Sequence, residues 1–425
     1  MQVEEHLFRR ESGRLVTALT RIFGLDNLAL AEDVVQDAFC RALEVWKIRG
    51  VPDNPSAWLM ATAKNRAIDV LRRQKTAQRC APELERLFKS EWTLVPTVSG
   101  LFDPSVIKDD QLRMMFSCCD ERLSQTSQVA LVLHLLCGFS ASEVAAAFLA
   151  GQAAMEKRLT RAKKVLSSSK HLFDLADREF AERLSSVQRA IYLLFNEGYQ
   201  SASGEAATRV ELCREAMRLA QALLDHPLSA NGASHALCAL LFLHAARLPG
   251  RVDAAGELLS LFDQDRARWD AGLIERGRRF LELSASSDEL TEYHVEAAIA
   301  ALHAAAQKVE ETDWAGIVTC YDALLRLRPT PVVALNRAIA VAQAQGPSRG
   351  LEELERIPDS ERLAGYPFYH AALGELERRR GALDIARGHF CTAHALAKNA
   401  AERRFLERRI EECSPEMSLT PVPAG

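Results

Sequence analysis

AEDVVQDAFCRALEVWKIRGVPDNPSAWLMATAKNRAIDVLRRQK, residues Ala31–Lys75, is the stretch whose reading decides the fold. Val35, Phe39, Ala42 and Trp46 recur at helical spacing and predict one core-facing helix. Glu32, Asp33, Gln36 and Asp37 gather at its N-terminal end on the exposed side, where the helix dipole also favours acids. A second helix opens at Asn54-Pro55, a capping residue followed by a proline whose missing N–H costs nothing there. It carries Trp58 and Leu59, then Lys64, Asn65, Arg66, Asp69, Arg72 and Arg73. An acidic helix followed by a basic, amide-bearing one implies two partners of opposite charge.

Upstream, residues 1–30 predict an amphipathic helix with Leu7, Phe8, Leu15, Leu19 and Ile22 or Phe23 inward, closed near Gly24. Together with the pair above it makes a first domain over 1–75. Downstream, Pro82, Pro96, Gly100 and Pro104 break the pattern, so 76–108 reads as a linker with limited helix. A second unit spans 109–168. Leu112, Met115 and Phe116 begin a helix ending near Cys118-Cys119-Asp120, and Val129–Leu136 forms another, closed by Cys137-Gly138. In FSASEVAAAF, Ser140 and Glu143 make a capping box, with Phe139 and Val144 placed as a hydrophobic staple. The turn Leu149-Ala150-Gly151 leads into QAAMEKRLTRAKKVL, and two short helices about a tight turn describe a helix-turn-helix. The second helix is expected to bury Met155, Leu159, Ala162 and Leu166. It exposes Gln152, Glu156, Lys157, Arg158, Arg161, Lys163 and Lys164, a set able to meet phosphates and guanine edges in a major groove.

These motifs carry a resemblance. AEDVVQDAF followed by NPSAWLMATAKNRAIDVLRR resembles the second conserved region of bacterial sigma factors of the extracytoplasmic-function group, and the helix-turn-helix resembles their fourth. The resemblance implies that Glu32, Asp33, Gln36 and Asp37 dock on the β′ coiled coil of core RNA polymerase. It implies that Asn54, Trp58, Lys64, Asn65, Arg66, Asp69, Arg72 and Arg73, with the preceding loop, read and open the promoter −10 element. It further assigns −35 contacts to Ser140, Gln152, Glu156, Lys157, Arg158, Arg161 and Lys164, and places the second unit on the polymerase β flap. In that family the linker threads toward the RNA exit path. Two departures stand out: Glu156 replaces a basic residue common in relatives, and Asp120-Glu121 follows Cys118-Cys119 where relatives commonly have His-Pro.

Composition agrees with an all-α protein. The chain has 425 residues, enough for two or three domains, with 48% hydrophobic residues. Its formal net charge of −4 locates any nucleic-acid binding in local basic patches. The 10 cysteines form no C-x-x-C and none pairs with His at ligand spacing, so no metal or cofactor is expected. The N-terminus has no apolar signal run and no stretch approaches a transmembrane span, which points to a cytoplasmic protein with reduced thiols and no membrane contact. Cys118-Cys119 reads as two small apolar residues ending a helix.

Ser167-Ser168-Ser169 marks a boundary, with a short linker over 169–178. Helices are then expected over Glu179–Phe195, Arg209–Leu224, Ala233–Arg247 and Val252–Phe262. NEGYQSASGEA reads as a Gly- and Ser-rich turn between the first two, where Asn196, Glu197 and Tyr199 could line a site. His235, His244, His294 and His303 read as packed or surface histidines. Asp313-Trp314 to Tyr321 to Pro329 looks like the second helix of a tetratricopeptide repeat. Leu373-Gly374, Gly381, Ala386, Phe390 and Ala393 match the large/small pattern of a whole repeat. Gly346 and Gly381 lie close to the ~34-residue period apart. The domain 179–413 is therefore expected to be tetratricopeptide-like and suited to a protein or peptide ligand, followed by a flexible tail over 414–425. The resemblance extends to extracytoplasmic-function sigma factors carrying such an extension, and implies a non-enzymatic promoter-specificity subunit modulated by its tail. A helix-turn-helix regulator with a tetratricopeptide sensor domain, acting without polymerase, is the alternative.

Overall fold

A computed structural model describes residues 2–24, 27–76, 104–148, 150–168, 177–200, 210–253, 259–286, 289–397 and 400–414. The linker over 77–103, most of the linker at 169–178, the Ser/Gly stretch 201–209 and the tail from 415 lie outside them. The described residues are all-α, as the composition predicts.

The first unit comprises Met1–Leu194 with Arg214–Ser229. Helix α1 (Gln2–Phe23) ends where Gly24 takes φ 81° and donates its N–H to the Thr20 carbonyl. Helices α2 (Leu28–Arg49) and α3 (Pro55–Thr76) follow, separated at Gly50, whose φ of 80° a side chain would strain. Leu15, Leu19, Ile22, Val35, Ala42 and Trp46 are buried on the stripes that the periodicity predicts, and Leu59 and Leu71 of α3 are buried with them. Phe8 stacks on Phe39 at 4.7 Å, and Trp46 meets Trp58 edge-on at 5.5 Å. The buried Glu11 carboxylate accepts from Ser56 at 3.0 Å, tying α1 to the start of α3.

Helix α4 (Pro104–Cys118) begins inside the stretch read as linker, with proline at its first position. Helix α5 (Gln125–Leu131), capped by Ser124, starts earlier than Val129 and continues as a π-helical turn through Val132–Leu136. Helices α6 (Ala141–Ala147) and α7 (Gln152–Ser167) complete this group. It packs directly on α1. Thr17 lies 3.5 Å from the Met114 sulfur, Arg21 pairs with Asp110, and the Gly13 backbone touches the Leu136 carbonyl so closely that a Cβ would sit 1.9 Å from that oxygen. Cys118 and Cys119 are buried at the end of α4, where burial pushes both thiols well up, Cys119 to about 12.

Two helix expectations are corrected. Asn196–Tyr199 are not a turn: α8 (Asp177–Gln200) runs through them, because Phe195, Glu197 and Tyr199 are buried and Tyr199 stacks on Phe195 at 5.6 Å. Packing of these rings outweighs the helix cost of Gly198. Val252–Phe262 is not a helix in its described residues, since Pro249-Gly250 closes a 3₁₀ turn and the Leu259 N–H donates across the loop to the Arg251 carbonyl.

The second unit comprises Phe195–Cys213 with Ala230–Gly425. Helix α9 (Val210–Leu224) falls mostly to the first unit. Helices α10 (Gly232–Ala245), α11 (Ala271–Ser284), α12 (Glu292–Ala305), α13 (Trp314–Leu327), α14 (Pro331–Gln345), α15 (Pro347–Glu355), α16 (Pro367–Arg379), α17 (Leu383–Leu396) and α18 (Ala400–Glu412) belong to the second. Successive helices pack as neighbours. Gly346 and Gly381 sit at inter-helix turns with φ of 95° and 83°. Ala386, Phe390 and Ala393 are buried, and a Cβ at Gly374 would lie 2.9 Å from the Phe390 ring, so the small residue lets α16 and α17 close on the aromatic. Helix α10 is buried almost all round, as its unbroken apolar sequence requires.

Candidate nucleic-acid interface

Helix α2 turns its acids outward because Ala31, Val34, Val35 and Ala38 occupy the buried positions between them. Asp33, Gln36 and Asp37 are exposed and Glu32 is half-buried. Asp33 and Gln36 make no side-chain hydrogen bond or ion pair among the described residues. Asp37 accepts from Arg66 of α3 at 2.8 and 3.0 Å, so a carboxylate and a cation assigned to different partners are joined across the helix pair.

Glu32 is joined to α7. Its carboxylate accepts from Lys163 of α7 at 2.6 Å and lies 3.5 Å from the His134 ring. His134 Nδ1 lies 2.7 Å from the Phe139 carbonyl and donates to it, and its Nε2 lies 3.0 Å from the Lys163 amine and faces the Glu32 carboxylate. Burial pushes the Glu32 carboxyl up, but the His134 and Lys163 contacts outweigh it and hold it below the usual range. Lys163 is therefore half-buried, correcting its expected exposure. Glu32 and Lys163 are 131 residues apart, and no local pattern announces the pair.

On α3, the Asn54 side chain accepts from the Ala57 N–H at 3.0 Å, the cap the sequence predicts. Asn65, Asp69, Arg72 and Arg73 are exposed on one side, and Lys64 and Arg66 are half-buried. Trp58 is half-buried against Trp46, so its ring supports the helix as well as facing outward.

The turn before α7 is built as the sequence dictates. The Ser140 N–H donates to Glu143 at 2.9 Å and its hydroxyl accepts from the Glu143 N–H at 3.3 Å, a reciprocal capping box. Ser140 also contacts the Glu143 carboxylate through its hydroxyl, so its side chain is occupied by capping. Met155, Leu159, Ala162 and Leu166 anchor α7, leaving Gln152, Glu156, Lys157, Arg161 and Lys164 exposed and Arg158 half-buried. Gln152 donates to Glu156 at 2.9 Å, which directs that carboxylate along the helix. Lys157, Arg158, Arg161 and Lys164 have no carboxylate partner among the described residues and present an unneutralised cationic face.

No group of three or more ligating side chains with metal-site geometry occurs among the described residues, and no described helix is long and apolar enough to cross a membrane.

Comparison with known proteins places part of these elements. Residues 7–77 match the model of sigma-70 region 2, and residues 183–285 match a family of unknown function (DUF6596). An uncharacterized protein of Rhizobium meliloti (strain 1021) is 40% identical over 402 residues, covering 94% of this chain and 93% of its own. The ECF RNA polymerase sigma factor SigJ of Mycobacterium tuberculosis is 29% identical over 202 residues, 45% of this chain and 59% of its own.

Proposed function

From a chain that belongs to one family with the uncharacterized Rhizobium protein, and that carries a sigma-70 region 2 domain, we propose that it acts as an alternative sigma factor of the extracytoplasmic-function group. The region 2 match and the SigJ likeness support a sigma-70-type factor. The observation that carries the finer reading is the exposed acidic row of α2 set beside the exposed amide- and base-bearing face of α3, with a capped helix-turn-helix presenting a second cationic face. In this reading residues 1–75 bind core RNA polymerase through Glu32, Asp33, Gln36 and Asp37 on the β′ coiled coil. The Asn65 face of α3 and the loop before it engage −10 DNA. Residues 109–168 read −35 DNA through Lys157, Arg158, Arg161 and Lys164 and rest on the β flap.

Docking through Glu32 requires the Lys163 pair to break, so the two DNA-reading elements separate when the protein joins polymerase. The helical domain over 179–413, tetratricopeptide-like in its helix pairing, modulates the activity, and the protein works in the cytoplasm without covalent chemistry of its own. Transcription with purified core polymerase on genomic promoter fragments tests the proposal. Promoter-specific transcripts dependent on this protein support it. Duplex binding without any association with core would instead favour the helix-turn-helix regulator with a sensor domain.

A further inference from the structure

The second unit contains a cavity of about 340 Å³, within the range of small-ligand pockets, ~300–1,000 Å³. Its apolar wall includes Pro367, Phe368, Ala371, Phe405 and Leu406 from α16 and α18. Its polar wall holds Tyr199, Arg247, Arg251 and Gln264, with Glu402 on the far side. Phe368 is half exposed and gives the cavity a rim open to water.

The polar wall is unusual in what it leaves unmatched. Tyr199 and Gln264 are both more than nine-tenths buried, yet the Tyr199 hydroxyl and the Gln264 Oε1 have no hydrogen-bond partner, and neither does the buried Arg247 Nε. Burying a polar atom without a partner costs about 1–3 kcal/mol, so three around one cavity call for a ligand that supplies them. Gln264 is held by its Nε2, which donates to the Leu259 carbonyl at 3.3 Å and leaves the oxygen as an acceptor. The Arg251 guanidinium sits 3.9 Å over the Tyr199 ring, and that of Arg247 lies 5.3 Å from the Trp269 ring centre. Stacked in this way, both forks are pre-oriented without being neutralised: among the described residues neither is paired with a carboxylate. The neighbouring His244 and His303 add no compensating acid. Arg266, the next cation, already commits both terminal nitrogens to the His303 and Ala306 carbonyls and the Thr312 hydroxyl and does not line the cavity.

We propose that this cavity binds a small aromatic carboxylic acid bearing a hydroxyl or N–H donor. The carboxylate meets Arg247, Arg251 and the Tyr199 hydroxyl, the ring packs on Phe405 and Leu406, and the donor reaches Gln264. Two arginines against one glutamate leave a single net positive charge in the cavity, which matches a monoanion and disfavours a dianionic phosphate. Guanidinium forks suit the planar carboxylate. The inference concerns binding alone and stands whether or not the chain acts on polymerase.

Isothermal titration of the full-length protein tests it, using 4-hydroxybenzoate as the probe and Trp269 fluorescence as a second readout. The expected result is saturable binding with Kd on the order of 1 mM or tighter. Arg251→Gln should weaken it at least about tenfold, worth ~1.4 kcal/mol. Ala371→Trp, which fills the cavity and leaves both arginines in place, should abolish it with the thermal melt preserved. That second variant keeps the test decisive if the arginine variant unfolds. Absence of binding at ~10 mM, equal binding of the neutral 4-hydroxybenzyl alcohol, or undiminished binding by Ala371→Trp overturns the proposal. Tighter binding of phenyl phosphate overturns the carboxylate assignment.

Discussion

Asp33 and Asp37 share a face of α2 and a charge, yet their surroundings separate them. Asp37 is already paired with Arg66, both side chains being well exposed, and such pairs contribute only ~0–1 kcal/mol. Asp37→Ala should therefore change stability by less than about 1 kcal/mol and leave Arg66 free. Asp33 has no such partner, so Asp33→Lys should reduce association with core polymerase at least about tenfold with no change in the melt. Co-purification of Asp33→Lys with core at wild-type stoichiometry would remove α2 from the docking surface. Among the histidines, burial and the neighbouring Arg247 push His244 down to about 3, and His303 falls to about 3 for the same reasons. A histidine depressed in the folded state takes up its proton first in the unfolded chain. Stability is thus fully present above the unfolded value of 6.5 and declines as pH falls from there toward 3. The slope should reach about 1.4 kcal/mol per pH unit for each histidine. Urea midpoints for His244→Phe, compared with wild type at pH 7 and pH 5, measure it; parallel losses in the two proteins would contradict the assignment.

At the level of elements, the helix-turn-helix depends on a short helix that cannot stand alone. Seven residues give α6 too few internal hydrogen bonds to offset nucleation, so its capping box and the burial of Phe139 and Val144 hold it in place. Ser140→Ala should cost about 1 kcal/mol, within ~0.5–2. Because α6 positions α7, the same change should weaken duplex binding while leaving its salt slope intact. Arg161→Ala should instead lower the slope of log K against log salt by about one. Fluorescence anisotropy over a salt series distinguishes the two: a reduced slope for Ser140→Ala would make the serine itself a phosphate contact.

On the scale of the whole molecule, the first unit does not end at the serine run. Leu184, Val187, Ile191 and Leu194 of α8 are buried, Arg183 reaches the Phe116 carbonyl at 3.3 Å, and Arg214–Ser229 belongs to the same unit. Burial pushes the Cys137 thiol up, and Glu215 of α9 adds to the shift while Arg218 opposes it, so α9 lies close to the π-helical turn. A truncation after Ser168 strips this packing and should lower the melting temperature by about 10 °C or more, at ~2–4 °C per kcal/mol. A truncation after Ser229 should retain it. Thermal melts of the two fragments decide the matter, and equal stability would place α8 and α9 outside the first unit. Any comparison of promoter activity with and without the C-terminal domain belongs on the longer fragment.

The sequence by itself determined what is written within a turn or two of chain. The buried stripes of α1, α2 and α7, the caps at Asn54 and Ser140, and the glycine turns at Gly346 and Gly381 all follow from residues three to five apart, where period and capping act. The two faces of the candidate interface were legible for the same reason: a stripe that buries one side of a helix fixes the other. Only tertiary structure decided the rest. The helix continues through Asn196–Tyr199 because Phe195 and His244 give Tyr199 somewhere to stack, a gain no local propensity records. Gly13 is a glycine because the Leu136 carbonyl lies against it, and Glu32 meets Lys163 because α1 packs against both the α2–α3 pair and the helices that follow. The cavity draws Tyr199, Arg247, Gln264 and Phe405 from segments far apart in the chain. Contacts of that range are fixed by how helices pack, and a one-dimensional pattern holds no term for them.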